Sequence, residues 1–346
     1  MRWLAGLGAG VLLAVAACGS GSSAASGTPS AAGSASGSTA PPVASAGPIT
    51  GPAGAASLAT LRWADGAQLP VAVSEVGVAQ LGTQVHVLGG YVGGQAHSTT
   101  HLVLDTATGR WRTAAPLPVR LDHVGAVGLA GRIYAAGGYG SAGRPTSVLY
   151  AYDPATDRWQ TKAPLPVART AAVAVTLGGR LHLVGGKGPS GDTGEHDVYD
   201  PSTDRWSTAA PMPTARDHAA GAVVAGLLHV AAGRPGGMTV HEVYDPATNR
   251  WATLPPLPHG RSSAAGASLG GRFVVIGGED AAERVVYTEV DAYDPTTRRW
   301  SRLPDLPGGR QGIGAVVMGD RLLVPGGGPS AGGALQSKRL LVLASG

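Results

Sequence analysis

From about residue 58 onward, short apolar runs alternate with turn-forming clusters, and the same order of runs recurs. The stretch from Gly131 to Pro166 carries one full unit. An apolar run ends in Gly137-Gly138, a loop follows, and a second run ends in Tyr152-Asp153-Pro154. A turn then leads to Trp159, and Leu165-Pro166 closes the unit. Runs of four to seven residues with period-two alternation predict β-strands, and none is long enough for a helix of ordinary length. In this unit the expected strands are a, about His123–Leu129; b, Arg132–Ala136; c, Val148–Tyr152; and d, around Trp159. Alternation is clearest in strand c, where Val148, Tyr150 and Tyr152 share a face. Strand a is built of small residues such as Gly125, Ala126 and Gly128, which suits an innermost strand crowded by its neighbours. Ala130-Gly131, Gly178-Gly179 and Gly270-Gly271 fall at the a–b hairpin turns. Asp-Pro-led turns join c to d.

The unit repeats with a period near 50. Tryptophans at 63, 111, 159, 206, 251 and 300 are spaced by 48, 48, 47, 45 and 49 residues. Glycine pairs stand at 89, 137, 185, 277 and 326, with Ala232-Gly233 in the remaining slot. Tyr-Asp-Pro recurs at Tyr152, Tyr199, Tyr244 and Tyr293, and Leu104-Asp105-Thr106 is its degenerate copy. A period of this size with double glycines predicts propeller blades.

These motifs together resemble the kelch-repeat family, over about residues 58–346. The resemblance implies an all-β, six-bladed kelch-type propeller with four-stranded blades. The sixth unit, Arg310 to Ala344, lacks a tryptophan of its own. Its strand d is expected to be Leu61-Arg62-Trp63, so that the N-terminal strand closes the ring and removes open edges.

Composition changes the picture at the N-terminus. Residues 1–17 read as an export signal, with Arg2 followed by an apolar stretch to Ala17. Val15-Ala16-Ala17-Cys18 resembles a bacterial lipobox, which implies cleavage before Cys18, the chain's single cysteine, and lipid attachment there. From Gly19 to about Ser57 the chain is Ser, Ala, Gly and Pro with no charge, a composition that buries too little to fold. These residues, 18–57 with the lipidated cysteine, read as a tether of about 35 Å r.m.s. reach. The protein is therefore expected on a bacterial cell membrane, outside the cytoplasm. One cysteine excludes an intrachain disulfide.

Overall, 55 glycines and 26 prolines serve the repeat, charged residues make up 14%, and net charge is +4. Dispersed charge and export argue against nucleic acid. No nucleophile motif, zinc signature or phosphate loop is present. Galactose-oxidase-like copper enzymes need a cysteine–tyrosine cross-link inside the propeller, which Cys18 cannot supply. Bacterial sialic-acid mutarotases are similar in build, so an epimerase or mutarotase of an anionic sugar is the competing class. The expected role is binding rather than catalysis, by a monomer without cofactor, and no catalytic residue is assigned.

The d–a and b–c loops emerge on one face of a propeller, and the resemblance implies that peptide-binding members use that face. The d–a loops carry Arg120, Arg169, Arg216, Arg261 and Arg310. After the glycine pairs come Tyr91, Tyr139, Lys187, Arg234 and Glu279, which vary from blade to blade; Arg144 lies in the same loop as Tyr139. These positions predict an acidic peptide, protein or anionic glycan as ligand, since arginine forks match carboxylate, sulfate and phosphate. The repeated arginines can equally be structural residues bonding loop carbonyls. Glu75, His123 and His218 fall at equivalent positions near the channel mouth. They are candidate metal ligands, or else hydrogen-bonded lining. His86, His182 and His229 of strand b are expected to be packed.

Overall fold

The structure, a computed structural model, describes residues 60–282 and 284–346. The signal and tether, including Cys18, lie outside the described residues. Every element is a strand, and the main architecture is six antiparallel four-stranded sheets. Strands a to d are Gly77–Leu81, Gln84–Leu88, His101–Asp105 and Arg110–Thr113 in blade 1. In blade 2 they are Gly125–Leu129, Arg132–Ala136, Leu149–Asp153 and Arg158–Thr161. Blade 3 has Val173–Leu177, Arg180–Val184, His196–Asp200 and Arg205–Thr208; blade 4 has Ala220–Val224, Leu227–Ala231, His241–Asp245 and Arg250–Thr253. Blade 5 has Ala265–Leu269, Arg272–Ile276, Val290–Asp294 and Arg299–Arg302.

Blade 6 takes Val316–Met318, Arg321–Pro325 and Leu340–Ser345 from the C-terminus and Leu61–Asp65 from the N-terminus. Leu61–Asp65 pairs antiparallel along its whole length, with Trp63 opposite Leu343. The ring therefore closes as the missing tryptophan predicts. Strand a begins two residues later than expected, at Gly125 rather than His123. His123 sits in the left-handed region, φ 50°, and cannot continue the strand.

Burial follows strand order. Strands b and c are almost wholly buried, strand d is mostly exposed, and strand a alternates. The cores lie between blades: Ala79, Leu88 and Val103 of blade 1 pack with Ile133, Ala135 and Tyr152 of blade 2. Around the axis strand a must be small. A Cβ on Gly221 would come within 2.2 Å of Val173, and one on Gly128 within 1.9 Å of the Gln80 carbonyl.

Each repeat tryptophan donates its indole N–H to a backbone carbonyl of the preceding blade. The bonds run from Trp63 to Pro304, Trp111 to Ala67, Trp159 to Ala115, Trp206 to Ala163, Trp251 to Ala210 and Trp300 to Pro255, at 2.8–2.9 Å. The Tyr152 hydroxyl donates to Asp157, whose same oxygen accepts the Ala115 N–H of the neighbouring blade. These residues join blades, as their strict repetition predicts.

Strands b and c add a feature the sequence pattern did not display. His86 meets His101, His182 meets His196, and His229 meets His241, each at 2.8–3.0 Å between ring nitrogens and each buried. The same two positions hold Tyr134 and Leu149 in blade 2, Val274 and Val290 in blade 5, and Leu323 and Leu340 in blade 6. Histidine accompanies histidine and apolar accompanies apolar.

Candidate functional site

Three consecutive residues before each strand a build the face formed by the d–a and b–c loops. The first accepts a bond from the second glycine of the preceding blade's pair. These residues are Val73, Leu121, Arg169, Arg216, Arg261 and Arg310. The second, Ser74, Asp122, Thr170, Asp217, Ser262 or Gln311, bridges the residue directly after the glycine pair of its own blade. The third, Glu75, His123, Ala171, His218, Ser263 or Gly312, has φ between 50° and 60°.

The third residues form a closed hoop. His123 N–H donates to the Glu75 carbonyl, Ala171 to His123, His218 to Ala171, Ser263 to His218, Gly312 to Ser263 and Glu75 to Gly312, at 2.7–3.0 Å. The left-handed turn aims each N–H at the next blade, so no backbone donor at the constriction is left unpaired.

The five arginines do not share one environment. Arg120 is not one of the repeated set: Leu121 occupies that position, and the Arg120 side chain is exposed beside it. Arg169, Arg216 and Arg261 are fully buried. They pair with Asp197, with Glu242 at 2.5 Å and with Asp291 at 2.8 Å, each acid being the second residue of strand c in the same blade. They also bond the carbonyls of Glu195, Val230 and Val275. Arg310 is buried as well and bonds the Gly309 carbonyl. None of these four guanidinia reaches a ligand on the face.

The pairing is a scaffold device. Where the first position is Leu121 or Val73, the strand-c position is Tyr150 or Leu102, and each pair shares one apolar cluster. Substituting both members of a buried ion pair by apolar groups is often tolerated, whereas removing one member is costly. Blades 1 and 2 carry that double exchange, whereas blade 6 keeps Arg310 with Leu341 at the strand-c position.

The residues after the glycine pairs divide. Glu279 is fully buried, accepting from Arg234 at 2.5 Å and from the Gly332 N–H at 2.8 Å, and so is a loop anchor rather than a ligand contact. Arg234, one-third exposed, is held by that bond. Tyr91 and Tyr139 are half-buried, and Arg144 and Lys187 are exposed.

Glu75, His123 and His218, from blades 1, 2 and 4, converge on the axis. One donor atom from each lies within 4.8 Å of the others. His123 Nε2 is 3.1 Å from Glu75 Oε2, and its Nδ1 faces Asp122, which also holds His97. His218 Nδ1 is 2.9 Å from Asp217, off the line of a hydrogen bond, and its Nε2 has no partner. Tyr91 and Tyr139 stand edge-on to His123, with ring centroids 5.7 and 5.6 Å away.

Burial opposes charge here, yet the His123 imidazolium holds the Glu75 carboxyl down to about 2. Burial works against His123 too, but Glu75 and Asp122 outweigh it and push it up to about 10. Burial, reinforced by His123, keeps His218 below its ordinary value despite Asp217. Asp122 and Asp217 thus serve the histidines, not the arginines. The Leu-Pro pairs carried the signal for the correct register: the buried position follows Leu117, Leu165 and Leu306 by four residues in each case.

Fold and rings together define a six-bladed propeller with one recessed, polar axial mouth. Residues 75–257 match the family model of the KLHDC2/KLHL20/DRC7 Kelch-repeats domain, and residues 260–307 match the Kelch motif. The chain belongs to the kelch-repeat family. The solved structure of YjhT is similar to it in fold, with a TM-score of 0.70 and 19% identity over 80% of this chain and 96% of that one. No curated protein matches the chain significantly. Kelch propellers are interaction platforms, and this chain has the architecture of a binding module.

Proposed function

We propose that the protein is an exported, membrane-tethered binding module whose d–a and b–c loop face takes an acidic peptide or an anionic glycan. The layering of charge on that face supports this. Arg120, Arg144 and Lys187 are exposed and have no ion-pair partner among the described residues, while the acids Asp122, Asp217 and Glu279 are buried. A ligand arriving from solvent meets these cations and the rims of Tyr91 and Tyr139, with Asp192 opposite Lys187 and Glu195 beside Arg169 as the acids on the same loop.

The test is an array of acidic peptides and anionic glycans, followed by affinity measurement on what binds. The double variant Arg144→Ala, Lys187→Ala should weaken binding about tenfold or more and reduce its salt dependence. Binding as tight as that of the unaltered protein would end the reading. The sugar epimerase reading needs an acid and a base beside space for a ring. Glu75 and His123 are such a pair, but the cavity over them is about 110 Å³, room for a few waters, against at least ~300 Å³ for ordinary ligand pockets.

The tether rests on the motif ending at Cys18. The unaltered protein should sediment with membranes and the Cys18→Ala form should not. Recovery of Cys18→Ala in the membrane pellet would exclude lipid anchoring.

A further inference from the structure

We propose that the hoop holds a divalent first-row transition cation, zinc by preference, on Glu75, His123 and His218. The inference stands on the axial residues alone and is independent of the cationic rim.

Four observations converge. The donor atoms of the three side chains lie within 4.8 Å of one another, so side-chain rotation can set each at ~2.0–2.2 Å from one shared ion, the distance zinc requires. Both histidines carry an aspartate at Nδ1, Asp122 for His123 and Asp217 for His218. For His123 that carboxylate fixes the ring and leaves Nε2 as the ligand atom, the usual outer arrangement of a metal-bound histidine, and Asp217 stands where a turn of the His218 ring would make the same bond. The His218 side chain is 7% exposed and its Nε2 is unpartnered. A buried imidazole nitrogen without a partner is costly, and an ion would satisfy it. Finally, the cavity above them, about 110 Å³ and lined also by Ser263 and Gly312, suits an ion with one or two waters.

Donor chemistry selects the ion. Calcium and magnesium take oxygen ligands, whereas two imidazoles and one carboxylate suit zinc and its neighbours. Three protein ligands leave a coordination position open. Tyr91 and Tyr139, edge-on to His123, flank the site. A bound ion would therefore offer an incoming carboxylate or hydroxyl a Lewis-acidic contact at the floor of the mouth.

The hoop makes the test clean. Ala171, Ser263 and Gly312 occupy the same backbone position with φ of 50°, 55° and 60°, so alanine at 123 or 218 leaves the bonds intact. The full chain, stripped with EDTA and dialysed, is titrated with zinc and with cobalt(II). Expected are one equivalent of zinc per chain at micromolar affinity or tighter, and cobalt absorption bands of low coordination number. His123→Ala and His218→Ala should each lose at least about 100-fold, and Asp217→Asn about 10- to 100-fold. His259→Ala, at an exposed site, should change nothing. Absence of stoichiometric uptake, or undiminished uptake by His218→Ala, would overturn the proposal. Should an alanine variant fail to fold, judged by melting in EDTA, Glu75→Gln and Asp217→Asn decide it by the same criterion.

Discussion

Acidification from pH 7 to about 4.5 is expected to unfold the propeller cooperatively, with the uptake of up to about six protons. The source is the three buried histidine pairs. Burial, with the partner's charge, holds His86, His196 and His241 at about 3. Burial holds His101, His182 and His229 at about 4. In the unfolded chain each titrates near 6.5. Below that pH the unfolded state is protonated while the fold stays neutral. The stability these groups contribute is present above pH 6.5 and is lost as pH falls toward their folded values.

Each group then costs up to about 1.4 kcal/mol per pH unit, so six together approach about 8 kcal/mol per unit. A domain holds about 5–15 kcal/mol in all, which places the midpoint near pH 5. His123 does not offset this, because below pH 6.5 it is protonated in both states. Its own contribution is lost on the alkaline side, between 6.5 and about 10. Near-ultraviolet circular dichroism across the pH range measures the transition, and a melting temperature that is flat from pH 7 to 4.5 would refute it. The double variant His182→Val, His196→Val copies the Val274–Val290 pair of blade 5 and should reduce proton uptake by about two. The Ala210 carbonyl that His196 contacts keeps its bond from Trp251.

Deleting residues 58–66 is expected to be as damaging. The deletion removes the whole of Leu61–Asp65, which supplies the outer strand of blade 6. It also removes buried Leu61 from the blade 5–6 core, the Trp63 bond to the Pro304 carbonyl, and the Asp65 partner of Arg339. The loss is at least ~5 kcal/mol. For a domain of this size that lowers the melting temperature by about 10 °C or more. It also exposes an unpaired edge along Leu340–Ser345, which invites association. A truncated protein that melts with the intact one would show that the ring is not held at this seam.

Fold and site were legible to different depths in the sequence. The blades were visible because glycine pair, Tyr-Asp-Pro and tryptophan recur at one period, and each has a single geometric job. Alignment on the glycine pairs fixed strands a and b, and so brought Glu75, His123 and His218 to one level. It did not fix strand c, because the b–c loops differ in length. Tyr-Asp-Pro marked strand c by itself, but not which of its residues faces strand b or the d–a loop, so the acids facing Arg169, Arg216 and Arg261, and the second histidine of each buried pair, were not paired with their partners. Arg120 was placed one residue out of register because a charged residue stood where charge was expected. Counting from Leu117 puts Leu121 there instead, and the apolar Tyr150 opposite confirms that register. A face read as cationic from its arginines thus has Arg169, Arg216 and Arg261 neutralised beneath it, Arg310 buried on a backbone carbonyl, and its exposed cations at the rim.

The hoop separates backbone from side-chain chemistry. Its six bonds are made by backbone alone, and the residues on it are Glu, His, Ala, His, Ser and Gly. Scaffold and side chain are therefore uncoupled at five of these points, the exception being Gly312, where an added Cβ would come within 2.5 Å of the Glu75 carboxylate and 2.9 Å of its backbone nitrogen. At the others, a residue that accepts a left-handed turn, at a cost of about 1–2 kcal/mol, can be exchanged with the backbone bonds kept. New chemistry can be written into this propeller one blade at a time.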